Sequence, residues 1–217
     1  MRLRRAGCTS RGPLNGNVRA SDFRVAADNA KSPPDMRSQL LDELRQECEH
    51  TLEARADRYL RIRHHGIISN TSFATASAEC IDLFRDGHFY GAISLSQSVG
   101  EALVRHMCKM SGWRPAKRYE ENVRKLVERN VIDDRFAQKF LELWERRDDY
   151  HHLNAGVETG RDALERLALS KVQVLAEIER RVFAFSIKDG QIVLHYPKFW
   201  TASENDHISV YLRRPTV

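Results

Sequence analysis

From Asp35 to Val182, apolar residues recur at intervals of three and four almost without interruption, which restricts this stretch to helices packed on one another. An α-helix turns about 100° per residue, so positions i, i+3, i+4 and i+7 share a face. The first stripe is Leu40, Leu41, Leu44, Cys48, Leu52, Ala56, Tyr59 and Ile62, with Asp35 as N-cap and His64-His65-Gly66 as its end. Thr71 or Ser72 is expected to cap a helix carrying Phe73, Ala76, Cys80, Ile81 and Phe84, which stops near Asp86-Gly87. A long helix from about Phe89 to Ser111 follows, ended by Gly112 and Pro115. Its small residues Ala92, Ser96 and Gly100 should let another helix approach closely. A shorter helix, from about Lys117 to Asn130, presents Tyr119, Val123, Leu126 and Val127. Asp133 or Asp134 opens the next, and after Asn154-Ala155-Gly156 a last helix begins at Thr159 or Asp162 and runs through Leu164, Leu167, Leu169, Val172, Leu175, Ile178 and Val182. The expectation is a mostly α fold, an antiparallel up-down helical bundle over residues 36–187 with an added N-terminal helix.

Residues 183–217 change character. Phe183 to Ile187 and Gln191 to Tyr196 are β-prone runs separated by Lys188-Asp189-Gly190, and Asp-Gly between such runs signals a type I′ hairpin. Ile208 to Arg213 is a candidate third strand. A sheet this small cannot stand alone and must pack on the helices or on a partner.

The helix opened by Asp133 or Asp134 carries the densest chemistry. Phe136, Phe140, Leu143, Arg147 and His151 form one helical row, and Ala137, Leu141, Trp144 and Asp148 form the row beside it. An apolar arc therefore runs on into Arg147, Asp148, His151 and His152. Buried charge without a partner is expensive, so these groups should pair with one another, face a cleft or meet a second subunit. A simpler use of the same residues is an ion-paired network closing the helix, with the histidines against its C-terminal dipole.

Arg147-Asp148-x-x-x-His152 resembles the R-x4-6-H signature of the HEPN family, helical-bundle proteins many of which are metal-independent ribonucleases. Arg146 to His151 fits the spacing as well, but the helical rows point Arg146 outward. The resemblance spans residues 70–185 as a pattern of helices plus one motif. It implies a HEPN-like core and an endoribonuclease in which the RNA 2′-OH is the nucleophile, leaving a 2′,3′-cyclic phosphate and a 5′-OH. In that reading His152, or His151, is the general base or acid, because an imidazole of pKa near 6.5 moves protons at neutral pH. Arg147 holds the phosphate and stabilises the charge growing on its oxygens. Asp148 orients the imidazole, His151 is a second proton carrier or substrate contact, and Arg146, Tyr150 and Asn154 contact substrate. No metal or cofactor is implied. The partners implied are RNA, a second copy completing the site across a two-fold through the motif helix, and an antitoxin or operon partner protein in a toxin, phage-defence or stress setting. Some family members carry a tyrosine two residues after the histidine; this chain has Asn154 there. Others have lost catalysis, so the alternative is a catalytically inactive HEPN-like module for dimerisation and partner or RNA binding.

Charge divides unevenly. Of 35 Lys and Arg and 30 Asp and Glu, residues 1–35 hold seven and three, which leaves the body near neutral. A near-neutral body argues against broad, charge-driven nucleic-acid binding and for local contacts. Residues 1–35 have little apolar periodicity and contain Pro33-Pro34, and are expected to be a disordered basic tail. A nucleic-acid-gripping arm, an Arg-rich targeting peptide, and a true start at Met36 stand as competing accounts. Cys8, Cys48, Cys80 and Cys108 are widely spaced without a C-x-x-C pair, the pattern of reduced thiols in a cytoplasmic protein, with the last three semi-buried. A zinc site from His64, His65, His151 and His152 is a weaker reading, because neighbouring histidines on a helix point about 100° apart. No run reaches the roughly 18 apolar residues of a membrane span.

Overall fold

The computed structural model describes residues 33–202 and 207–213. The expected basic tail lies outside the described residues except for its last three. The chain falls into two units, residues 1–48 and 49–217. In the first, helix α1 (Pro33–Leu60) begins two residues before the expected cap at Asp35, which instead sits in its first turn. Proline suits that position, where a backbone N–H has no partner in any case. Met36, Leu40 and Leu44 are all more than half exposed, so the spacing that predicts a core-facing stripe is not matched by burial here. Local pairs, Gln39 to Glu43 and Arg45 to Asp42, decorate this part of the helix.

The second unit holds the remainder of α1, then β1 (Ile67–Ser69), α2 (Ala74–Arg85), α3 (Phe89–Met110), α4 (Tyr119–Glu128), α5 (Asp134–Trp144), α6 (Arg147–His152), α7 (Arg161–Val182), β2 (Phe185–Lys188), β3 (Gln191–Leu194), a 3₁₀ turn at Pro197–Phe199, and β4 (Val210–Leu212). The fold is mostly helical with two small antiparallel sheets. Helix α3 is its axis, in contact with α2, α4, α5, α6 and α7. Ile93, Leu103 and Met107 of α3 are fully buried with Phe84, Leu126, Phe140, Leu143, Leu175 and Ile178. Gly100 permits the closest approach: a Cβ there would stand 2.4 Å from Leu143 Cδ2. Among the described residues no helix is long and apolar enough to cross a membrane.

Several local expectations are corrected. Helix α2 is capped by Phe73, not by a Thr71 or Ser72 side chain. Helix α7 starts at Arg161, between the two expected starts at Thr159 and Asp162, after Gly160, whose N–H donates to Glu158 Oε1 at 2.8 Å. The C-terminal strand does not extend the hairpin: β4 pairs with β1, Ile67 opposite Leu212, while β2 and β3 pair around Asp189 (φ 52°) and Gly190 (φ 76°). That turn has the two positive φ values a type I′ hairpin requires. The β4 end is anchored by Arg213, whose guanidinium meets Glu179 Oε2 at 2.7 Å with both side chains at most 2% exposed. Ser77 donates to the other carboxylate oxygen of Glu179. Cys48 is exposed rather than semi-buried, and Cys80 and Cys108 are buried.

Candidate functional site

The expected continuous helix through Arg147 and His151 is broken. Helix α5 is well begun, with Asp133 accepting from Phe136 N at 2.7 Å, but it ends at Trp144. Glu145 turns extended and Arg146 adopts the left-handed conformation at φ 59°, which costs a non-glycine residue about 1–2 kcal/mol. Two buried side chains hold the break. Gln97 of α3 donates to the carbonyls of Leu143 (3.2 Å) and Glu145 (3.1 Å). Lys171 of α7, only 4% exposed, donates to those of Glu142 and Glu145. The last carbonyls of a helix lack internal partners and carry its negative dipole end, so an ammonium and an amide there replace what the broken helix gives up. Burial holds the Lys171 pKa below its ordinary value, and the nearby Glu145 and Glu142 oppose that shift.

The consequence is that Phe140 and Leu143 no longer share a helix with Arg147 and His151. Helix α6 is a separate six-residue turn packed on α3 and closed by Leu153 in the left-handed conformation. Its buried anchor is Tyr150, 2% exposed. Arg147 and His151, four apart, lie on one face of this turn. The Arg147 guanidinium sits 5.2 Å from the Trp144 ring centroid and bonds Asp148 Oδ1 at 2.9 Å through Nη1. Its Nε, the Nε2 of His151 and the Oε1 of Gln97 are all buried without a hydrogen-bond partner among the described residues. Burial lowers the His151 pKa below 6.5 and the Arg147 charge lowers it further; contact with the Ser94 backbone and the Asp148 carboxylate work the other way. Arg147 in turn draws the Asp148 carboxyl below its usual range.

The remaining predicted site residues divide. Asp148 engages Arg147, and its side chain accepts no hydrogen bond from His152. His152 is exposed on the neighbouring face of α6. Arg146 lies over Tyr150 at 5.4 Å and pairs with Asp149 at 3.3 Å, while Asn154 bonds the other Asp149 oxygen at 3.3 Å. This second cluster closes the loop after α6, with Arg146 also donating to the Gly156 carbonyl. His64 and His65 belong elsewhere. His65 bonds the Phe183 carbonyl, and among the described residues no group of three or more metal-ligating side chains is placed to hold a metal ion.

The functionally placed residues that periodicity does not single out are Gln97, Lys171 and Ser94. The first two do leave a trace. Each is a polar side chain in an otherwise apolar row, Gln97 between Ile93 and Gly100, Lys171 between Ala168 and Leu175. Compared with family models, curated proteins and solved structures, the chain gives no match.

Proposed function

We propose that this protein is a metal-independent endoribonuclease of HEPN type whose site is the Arg147 and His151 face of α6, with His152, which completes the R-x4-H register from Arg147, beside it. The observation that carries the reading is the pair of buried, unpartnered nitrogens, Arg147 Nε and His151 Nε2, on one face of a turn held off the core helix by Gln97 and Lys171. A guanidinium held by a carboxylate, beside an imidazole whose pKa burial lowers, can supply a phosphate anchor and a proton acceptor for transesterification of RNA.

In this mechanism neutral His151 takes the proton from a ribose 2′-OH. The 2′-oxygen attacks the adjacent phosphorus, and the P–O5′ bond breaks to leave a 2′,3′-cyclic phosphate. The 5′-oxygen departs with a proton from an imidazolium, supplied by exposed His152 or by a second copy's α6. Arg147, fixed by Asp148, holds the non-bridging oxygens as charge builds on them. The HEPN-like bundle, the homodimer through α6, cytoplasmic action and an operon partner belong to the same proposal.

The test is a cleavage series on single-stranded and structured RNA. Arg147→Ala and His151→Ala should each lower the rate about 10²- to 10⁴-fold. His152→Ala decides whether the exposed histidine is the acid. Full activity in both Arg147→Ala and His151→Ala rules out this site.

A further inference from the structure

The geometry points to a second RNA-phosphate subsite in the cleft between the amino ends of α3 and α7; this inference rests on the ribonuclease reading. The cleft is about 400 Å³ and is lined by Gly87, Phe89, Tyr90, Thr159 and Arg161. Two guanidiniums lie over one aromatic ring of its wall, Arg161 of the lining at 5.0 Å and Arg58, outside the lining, at 5.3 Å from the Phe89 centroid. Gly87, at φ +83°, makes room for them: a Cβ there would stand 2.8 Å from Arg161 Nη2 and 3.4 Å from Arg58 Nη1.

The two arginines are not equivalent. Arg58 is tied down, donating to the Arg85 carbonyl at 3.3 Å and lying 3.4 Å from Glu165 Oε1, with its Nε buried and making no hydrogen bond. Arg161 makes no hydrogen bond or ion pair with any described residue, so its donor fork is open to a phosphate.

One exposed aromatic ring stands beside Arg161 in the cleft lining. Arg146 covers Tyr150, whose ring lies 6.1 Å from that of Tyr90, and Tyr90 is 37% exposed and forms the near wall of the cleft. An exposed tyrosine beside an exposed arginine suits a single-stranded nucleic acid: a base can stack on Tyr90 while Arg161 takes the phosphate. A carboxylate next to the lining opposes the anion: Glu158, which precedes Thr159 and accepts from Gly160 N at 2.8 Å. Its removal should therefore tighten binding, while removal of Arg161 should loosen it.

The experiment measures anisotropy of a fluorescein-labelled single-stranded RNA against the His151→Ala protein over a series of KCl concentrations, with cleavage of the same RNA by the parent assayed alongside. Adding Arg161→Ala should weaken binding about ten-fold and flatten the log K against log salt slope by about 0.7, the share of one phosphate on a single strand. Arg161→Lys should restore the slope and part of the affinity, and Glu158→Gln should tighten binding about three-fold. Circular dichroism confirms that each variant is folded. An unchanged affinity and slope in Arg161→Ala, with RNA still cleaved by the parent, overturns the subsite alone, as does weaker binding with an unchanged slope. A parent that neither binds nor cleaves RNA overturns both the subsite and the ribonuclease reading.

Discussion

Arg147 and His151 lie four residues apart on the same face of a six-residue helix, and the Nε of one and the Nε2 of the other are both buried without a hydrogen-bond partner among the described residues. Their proximity sets the charge state of the imidazole. Burial and the guanidinium together favour neutral His151.

His151 should therefore titrate below 6.5, followed by the chemical shift of its ring protons. Arg147→Gln should raise that value and Asp148→Asn should lower it further, because they remove the cation and the anion that act on the ring. With the folded-state pKa depressed, the unfolded chain binds the proton first as pH falls. The stability this group contributes is present above about 6.5 and is lost on acidification through the window below it. His64, His65 and His106 are shifted the same way by burial, so urea titrations should show stability falling below that pH. The acidic limb of the cleavage profile should share the His151 midpoint.

Lys171→Met should destabilise the protein by about 1–3 kcal/mol, since it leaves the carbonyls at the end of α5 without their donor. Gln97→Leu should cost a similar amount. Because both side chains bond the Glu145 carbonyl, either one still satisfies it when the other is lost, and the double variant should lose more than the sum of the two. Urea denaturation of the four proteins reads this coupling.

Gly100→Ala should lower stability by about 1–3 kcal/mol through the clash with Leu143, and Tm by several degrees. Gly112→Ala tests a different mechanism. No atom crowds that position, but its φ of +90° resists a side chain, so any loss there comes from backbone strain alone.

Arg213→Met leaves the Glu179 carboxylate buried and without its cation, and should cost about 3–5 kcal/mol. Replacing both, Arg213→Met with Glu179→Met, should cost clearly less. Equal losses in the single and double variants would mean that the pair's electrostatics are not what holds β4 to the helices.

The local rules of sequence were enough for some elements and blind to others. Asp189-Gly190 was legible because the type I′ turn needs two positive φ values within one dipeptide, and both are found. Close packing at Gly100 was legible for a similar reason, since only a missing side chain admits Leu143. The pairing of β1 with β4 was not: each strand is three residues long, and Ile67 and Leu212 are far apart in sequence. The break between α5 and α6 was hidden because Glu145 and Arg146 are ordinary helix formers. Their departure from the helix is imposed from outside, by Gln97 and Lys171. Arg147 and His151 share a face of α6 as the helical rows predict, but the break takes that face off the helix that carries Phe140 and Leu143.

The most direct test of the account is incubation of purified protein with single-stranded and structured RNA in EDTA, beside an Arg147→Ala, His151→Ala double variant, with analysis of the product ends. The account predicts 2′,3′-cyclic phosphate and 5′-OH ends from the parent and none from the variant. Intact RNA with a folded parent, or cleavage that survives in the variant, would contradict it.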